Sequence, residues 1–283
     1  MPNLEDFLTQ LDDAIIEGRP LSNQYDVPYL RKLREDLVFA ICEISRKRLD
    51  YGRVSGELMR RFVYRLGPND SILSLNYDII VDNALFRFGH SELVDYGFPI
   101  RYSLERDRRP EKYILHPRSL PLYKLHGSLN WLYCPNCQQL DVTVGMKGVR
   151  YIYEEDHGFM CPDCHGRYEP LIITPTLLKI YSNVLLREVW RRAEDKVSKA
   201  DKVVFIGYSL PDADVQLRCM FSRAFYKNRV RSRDLQGKTS SCKICVVGSS
   251  PPNSDTHKRY IKLFGEVEYY ADGLRGYMEH LSR

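Results

Sequence analysis

The sequence lacks the features that mark membrane-spanning and secreted proteins. No apolar run approaches the ~20 residues that a transmembrane helix requires. The first residues, MPNLEDFLTQLDD, are acidic and amphipathic, whereas a signal peptide begins with basic residues followed by an apolar stretch. Internal repeats and low-complexity tracts are also absent. We therefore expect a cytoplasmic globular protein with no membrane partner.

Strong charge of one sign is also missing. The net charge is +5 over 283 residues, and 43% of the residues are hydrophobic, enough to build a core. The most basic blocks are Arg101–Arg109 and Arg229–Arg233, and acidic residues interrupt the first. Such weak patterning favours a solvated surface over a nucleic-acid interface. A nucleic-acid partner is therefore not expected.

Four of the eight cysteines form two matched C-P-x-C pairs. The pairs are Cys134–Cys137 and Cys161–Cys164, and residues 138–160 lie between them. A tight turn that carries two thiolates supplies half of a tetrahedral zinc site, and a second such turn completes it. The spacing predicts a closed structural zinc ribbon with Cys134, Cys137, Cys161 and Cys164 as ligands. Free thiols of this kind suit a reducing compartment.

The rest of the chain alternates between strand and helix patterns. Helices are expected over 3–17 and 27–66, where apolar residues recur at helical spacing. From residue 71 on, short apolar runs end in polar or glycine-bearing turns and lead into helices. These runs predict strands at 71–75, 122–125, 171–174, 202–206, 243–247 and 267–270. The alternation predicts an α/β protein with a Rossmann-like, doubly wound parallel sheet.

This pattern also gives the expected domain organisation. Residues 1–66 form a helical segment that packs on the sheet. Residues 67–130 and 169–283 form the Rossmann-like domain, and 131–168 form the zinc-ribbon insert, which includes a β-rich stretch at 149–153.

Chemical groups cluster at the predicted ends of the strands, where open parallel sheets bind their ligands. Each group has a purely structural alternative, since polar residues cap helices and glycines make tight turns. Their repeated occurrence after successive strands nevertheless favours a nucleotide site. The residues are Asn76, Asp78, His126, Ser128, Gly207, Ser209, Gly248 and Ser249.

Four blocks in order resemble the sirtuin-like family. They are S-L-N-Y-D at 74–78, K-L-H-G-S at 124–128, the paired C-P-x-C motifs, and I-G-Y-S-L-P-D-A-D at 206–214. The resemblance is closest to the bacterial branch, whose NAD-consuming modules often serve anti-phage defence. It implies NAD as substrate and zinc as the structural metal.

The resemblance also implies a role for each matching residue. His126 matches the catalytic base that acts on the nicotinamide ribose, Asn76 the residue that positions water and ribose, and Asp78 the residue that receives the nicotinamide carboxamide. Gly207 and Ser209 match the loop that holds the ribose and phosphates of the cofactor. Gly248 and Ser249 lie in the region that contacts the adenosine half, and the four paired cysteines match the zinc ligands.

One element of the family pattern is missing. The G-A-G-x-S type of turn that follows the first strand and approaches the pyrophosphate is absent, and the first glycine is Gly18. The corresponding strand is central in a doubly wound sheet. We expect a truncated or mis-started version of a longer protein. The alternative is a degenerate member in which neighbouring strands have closed the gap.

The leading functional prediction is hydrolysis of NAD to nicotinamide and ADP-ribose, if the phosphate-binding strand is supplied. Three alternatives stay open: a protein deacylase that uses the same residues, an inactive binding or regulatory protein that keeps the fold, and a nucleic-acid module. The last predicts basic or aromatic side chains on the cysteine turns, which carry Pro, Asn and Asp instead. A homo-oligomer and a partner defence protein are both compatible with the sequence.

Overall fold

The computed structural model describes residues 4–50, 56–89, 94–98, 100–103, 111–112, 120–143, 160–173, 183–212, 214–236 and 242–282. Eight helices are found there: Leu4–Glu17 (α1), Val27–Asp50 (α2), Gly56–Tyr64 (α3), Ile80–Phe88 (α4), Val184–Lys199 (α5), Val215–Gln236 (α6), Asp255–Phe264 (α7) and Gly273–His280 (α8). The same described residues contain ten strands: Ile72–Ser74 (β1), Arg101–Ser103 (β2), Glu111–Lys112 (β3), Leu122–Lys124 (β4), Gly127–Tyr133 (β5), Leu140–Thr143 (β6), Glu169–Ile172 (β7), Lys202–Ile206 (β8), Lys243–Val247 (β9) and Glu268–Tyr270 (β10). The chain divides into two compact units, Met1–Val189 and Trp190–Arg283.

Helices α1 and α2 pack against each other through their apolar stripes. Leu8, Leu11, Ala14 and Leu30 form a buried cluster, because residues three to four positions apart share one helix face. The Arg34 guanidinium donates a hydrogen bond of 2.6 Å to Asp12 at the edge of this cluster. The helical pattern predicted over 27–66 becomes two helices, α2 and α3.

Strands β1 and β4 form a parallel pair in the first unit. Ile72, Leu73 and Ser74 lie opposite Leu122, Tyr123 and Lys124. All three residues of β4 are buried, which explains why a short, mostly apolar run forms a strand here. Helix α4 follows β1 after the turn at 75–79. Within the described part of the chain, β4 is the only strand that pairs with β1.

A five-stranded sheet has the order β3-β2-β6-β5-β7. The first cysteine turn joins β5 to β6, and the second precedes β7. Strand β5 pairs antiparallel with both β6 and β7, and β2 joins β6 in parallel. Strand β5 begins directly at Gly127, where the sequence pattern indicates only a turn. The β-rich stretch predicted at 149–153 lies outside the described residues.

The second unit contains the parallel sheet β10-β9-β8 and helices α6, α7 and α8. Its core is aromatic. The Phe205 ring lies 5.0 Å from Phe221 and 5.1 Å from Tyr260, both on helices that cover β8. Parallel sheets with covering helices confirm the predicted α/β class. The predicted domain boundaries stay a prediction.

No helix in the described ranges is both long enough and apolar enough to cross a membrane.

Candidate functional site

The parallel pairing of β1 and β4 determines where the first group of predicted site residues lies. Ser74 and Lys124 are the last paired residues, and Asn76 and His126 each lie two positions further on. The Leu125 amide donates to the Ser74 carbonyl over 2.9 Å, which keeps the two strand ends together. Asn76 is exposed and His126 is buried. Their catalytic roles remain predictions.

The His126 imidazole is oriented by the backbone. Its Nδ1 lies 3.2 Å from the Leu75 carbonyl oxygen. A carbonyl oxygen only accepts hydrogen bonds, so Nδ1 carries the proton. In the neutral imidazole, Nε2 then holds the lone pair and is the nitrogen that can accept a proton. The His126 carbonyl also accepts the Ile173 amide over 2.9 Å, which anchors the residue from β7.

Gly127 allows β5 to begin immediately after His126. Its φ is +81°, and a Cβ at this position would lie 1.8 Å from the Leu171 carbonyl oxygen. Only glycine combines this backbone angle with so close an approach of β7. The glycine of the H-G-S motif therefore has a structural explanation that is independent of any ligand. Ser128, the next residue, is fully buried.

Asp78 has a local structural role. Its Oδ1 accepts a hydrogen bond of 2.9 Å from the Ile80 amide at the start of α4. Asp78 precedes Ile79, the N-cap residue of α4, so this bond orders the turn into the helix and is not the side-chain cap that the sequence pattern allowed. The side chain is half-buried. Recognition of a nicotinamide carboxamide by Asp78 stays a prediction.

A buried polar network lies beneath this turn, and none of its contacts is predicted from sequence. The Lys124 ammonium donates to the Asp78 carbonyl oxygen and lies 3.3 Å from Asp82 Oδ2. The Tyr96 hydroxyl donates to Asp82 Oδ1 over 2.5 Å, and Asn130 Nδ2 donates to the Tyr96 oxygen over 3.0 Å. The available signal was a lysine in the middle of the apolar run P-L-Y-K-L, a position where charged residues are rare.

The second group of predicted site residues lies in the second unit. Ile206 and Val247 are paired at the ends of β8 and β9, so Gly207 and Gly248 leave the sheet side by side. The Gly207 amide donates to the Val247 carbonyl over 2.8 Å, and φ of Gly207 is +67°. Ser209 and Ser249 are exposed just beyond. All four residues therefore follow the carboxyl ends of neighbouring parallel strands, where such sheets bind ligands.

Two side chains of α7 form hydrogen bonds with the backbone of the turn at 207–212. The Arg259 guanidinium donates to the Ser209 carbonyl oxygen over 2.9 and 3.1 Å, and the Tyr260 hydroxyl donates to the Tyr208 carbonyl over 2.8 Å. Leu210 is fully buried with φ of +51°. A turn fixed at three successive residues presents its backbone in one conformation. Sequence patterns did not identify Arg259, because its partner lies 50 positions away in the chain.

The four paired cysteines come together. Their sulfur atoms all lie within 4.8 Å of one another, with 3.4 Å between Cys134 and Cys164 and 3.6 Å between Cys137 and Cys161. The two turns share one backbone form, since the residue after each second cysteine has a positive φ, +61° at Gln138 and +57° at His165. Four converging thiols are the donor set of structural zinc sites. The cluster could hold one zinc ion.

Arg101 lies beneath the second cysteine turn and contacts four residues. Its Nε and Nη2 donate to the two oxygens of Asp141 over 2.5 and 2.9 Å, and Nη1 donates to Asp163 over 2.6 Å. Nη2 also lies 3.2 Å from the Tyr168 oxygen and 3.8 Å from Cys161 Sγ. The prediction that the basic block beginning at Arg101 is solvated is wrong for this residue, which is buried because two carboxylates balance its charge.

The surroundings of Cys161 favour its thiolate. Burial opposes ionisation, but hydrogen bonds from the backbone amides of Cys164 and Asp163 and from the Arg101 side chain lower the pKa of Cys161 to about 7. The thiolate is the form of cysteine that binds metals. The pKa of Cys137 is raised instead, mainly by desolvation, so it is the convergence of the four sulfur atoms that fits a metal site.

Parallel strands, polar groups at their carboxyl ends and a four-cysteine cluster that could hold a metal together define a Rossmann-like α/β protein. The family model described as a SIR2-like domain matches residues 70–262, and the chain belongs to this family. A comparison with curated proteins found no match.

Several solved Sir2 structures are similar to the chain. One, titled as Sir2 bound to acetylated peptide, is 15% identical over 87% of this chain and 79% of its own, with a TM-score of 0.44. A second, titled as a complex of Sir2 with a p53 peptide and NAD+, is 14% identical over 79% and 68%, with a TM-score of 0.41. A third, from work on the basis of sirtuin substrate affinity, is 15% identical over 99% and 97%, with a TM-score of 0.44.

Proposed function

We propose that this protein binds NAD and hydrolyses it to nicotinamide and ADP-ribose. The observation that carries the proposal is the geometry of His126 within a SIR2-like chain. Its Nδ1 is held by the Leu75 carbonyl, and its ring follows the strand paired with the one that leads to Asn76. A neutral imidazole with a defined acceptor nitrogen is suited to take a proton near neutral pH.

The proposed reaction breaks the bond between the ribose and the positively charged nicotinamide nitrogen. The bonding electron pair leaves with nicotinamide, which becomes neutral, and the ribose acquires oxocarbenium character. His126 Nε2 accepts the proton of a ribose hydroxyl, which stabilises the developing positive charge. Asn76 orients a water molecule, whose oxygen bonds to the ribose carbon. The water gives up one proton to solvent, and His126 returns the proton it holds to the ribose oxygen, so the products are neutral nicotinamide, ADP-ribose and one proton. Fixed polar groups lower the barrier because they need no reorganisation during the reaction.

The turns of the second unit are the proposed cofactor-binding residues. Gly207 and Ser209 are assigned to ribose and phosphate groups, and Gly248 and Ser249 to the adenosine half. What supports this assignment is the rigidity of the 207–212 turn, held by Arg259 and Tyr260, and its position after β8. Backbone amides at such turns can approach phosphate oxygens closely.

Zinc is proposed as a structural metal in the four-cysteine cluster, where it would join the two turns. A role in anti-phage defence and a cytoplasmic location are further proposals that rest on the resemblance to bacterial NAD-consuming relatives.

The test is nicotinamide release from NAD by the purified, zinc-loaded protein. We expect release by the wild type and a loss of about 100-fold or more in His126→Ala and Asn76→Ala, the usual scale for general base and positioning residues. His280→Ala is the matched control, because His280 is exposed on the last turn of α8. Equal rates in the wild type and in both site variants would show that the assignment is wrong.

The same assay separates the alternatives. Release that depends on an added acyl-lysine peptide identifies a deacylase. NAD binding by calorimetry without any nicotinamide release identifies a binding or regulatory protein. Absence of both binding and release in a folded, zinc-loaded protein contradicts the NAD proposal.

A further inference from the structure

The first unit contains a buried lysine whose position calls for an explanation. The side chains of Lys124 and Asp82 are only 1% and 4% exposed, and their charged atoms lie 3.3 Å apart. A buried ion pair loses its hydration, and apolar residues of similar volume often stabilise a core equally well. Stability alone therefore does not account for this pair.

The second contact of Lys124 distinguishes it from a simple core ion pair. Its Nζ also donates to the Asp78 carbonyl oxygen, in the turn that carries Asn76 and Asp78. Lys124 itself is the last residue of β4, two positions before His126. One side chain thus joins the strand that presents the histidine to the turn that presents the asparagine.

The carboxylate that balances this charge is fixed in turn. Asp82, on α4, accepts the Tyr96 hydroxyl over 2.5 Å, and Tyr96 accepts Asn130 Nδ2 of β5 over 3.0 Å. Asp82 and Tyr96 are both nearly inaccessible to solvent. Because Asp82 is held in place, the Lys124 ammonium that pairs with it is held in place as well.

We propose that Lys124 is a positioning residue that fixes the turn 76–78 relative to His126. Its effect on reaction rate rests on the proposed NAD chemistry, whereas its effect on the turn does not. Loss of the Asp78 contact displaces Asn76, and a displacement of about 1 Å at a reacting group can cost on the order of 100-fold in rate.

The key variant removes the ion pair without leaving a buried charge. Lys124→Met alone leaves Asp82 unpaired and should lower the unfolding temperature strongly. Lys124→Met combined with Asp82→Asn should restore most of the lost unfolding temperature. The asparagine side chain is neutral, and its oxygen still accepts a hydrogen bond from the Tyr96 hydroxyl. We expect the double variant to fold while kcat for nicotinamide release stays about 100-fold below wild type. KM for NAD should change little, since the turns at Gly207 and Gly248 are untouched.

Amide hydrogen exchange gives a readout that does not depend on activity. The Asn76 and Ile80 amides donate to Ser74 and Asp78 side chains, so their exchange reports the order of the turn. We expect exchange at 76–80 to be about 10-fold faster in the double variant, with no change in α6. Lys202→Met is the matched control, because Lys202 begins a parallel strand of the second unit and contacts Tyr277 instead.

The outcomes separate the two proposals. Wild-type exchange at 76–80 in the folded double variant overturns the positioning role, whatever the activity. Faster exchange with wild-type kcat supports the role of Lys124 in fixing the turn and overturns its effect on the reaction rate. If the wild type releases no nicotinamide, the proposed function fails, and the exchange measurement alone decides whether Lys124 fixes the turn.

Discussion

Two buried cations in the first unit hold carboxylates in different ways. Arg101 uses a planar fork that bonds both oxygens of Asp141 and also reaches Asp163, Tyr168 and Cys161. The compact Lys124 ammonium contacts the Asp82 carboxylate and the Asp78 carbonyl oxygen. Both are almost completely buried, so exposure does not distinguish them.

The difference follows from the chemistry of the two side chains. A guanidinium has five donors in a rigid plane and can fix several groups relative to one another, whereas an ammonium is compact and less directional. Arg101 lies where two strands and a cysteine turn must meet at fixed distances. Burial and the hydrogen bond to Asp141 raise the pKa of Tyr168 well above its ordinary value, so its hydroxyl stays a neutral donor in this network. Lys124 supports a single turn.

The largest expected effect is on the metal. Cys161→Ser should reduce the zinc content from about one ion per chain to nearly none, because three thiolates do not complete a closed structural site. Mass spectrometry of the native protein and metal analysis measure this directly. Cys219→Ser is the control, since Cys219 is exposed on α6 and outside the cluster. A wild type that is folded and metal-free contradicts the zinc proposal.

A smaller effect, on the rate of zinc loss, distinguishes Arg101 from Lys124. Arg101→Lys keeps the charge but loses the fork, so zinc should pass to a chelator about 10-fold faster, as for other residues that orient metal ligands. Nicotinamide release by the zinc-loaded variant should stay near wild type. The Lys124→Met and Asp82→Asn double variant should show the reverse, with normal zinc retention and slow release.

Arg167→Gln is the matched control for this comparison, because Arg167 is exposed on the same cysteine turn. In a cobalt-substituted protein, the sulfur-to-metal charge-transfer band should shift in Arg101→Lys and remain in place in Arg167→Gln. Equal zinc loss in the two arginine variants would show that Arg101 has no special role at the cluster.

The smallest expected effect concerns the exposed end of the arginine network. The Asp163 side chain is 56% exposed, so its ion pair with Arg101 is weakened by solvent. Asp163→Asn should change the free energy of unfolding by less than about 1 kcal/mol. Asp141→Asn should lower the free energy of unfolding several times more, because Asp141 is buried and binds two nitrogens of the Arg101 guanidinium. Chemical denaturation of the two variants measures the difference. Equal losses of stability would show that burial does not make the Asp141 contact stronger than the Asp163 contact.

Much of the fold followed from local pattern. Strands β8 and β9 have the predicted bounds, because each is a continuous apolar run closed by a glycine turn. Strand β5 was missed because Gly127 and Ser128 follow the apolar run 122–125 and indicate a turn, although antiparallel pairing on both sides buries most of the strand. Tertiary pairing outweighed local propensity there.

The buried polar contacts could not be predicted from sequence, for a related reason. Arg101 lies 40 positions from Asp141, and Lys124 lies 42 from Asp82. No local pattern links such residues, and an isolated charge usually indicates a surface position. The motifs located the strand ends and the cysteine turns, but not the side chains that support them.

The central claim is that His126 is the base of an NAD-cleaving site. The most direct test is nicotinamide release from NAD by zinc-loaded wild type, His126→Ala and His280→Ala proteins side by side. If His126 is the base, wild type and His280→Ala release nicotinamide, and His126→Ala releases at least about 100-fold less. Release at the same rate by all three proteins would contradict it.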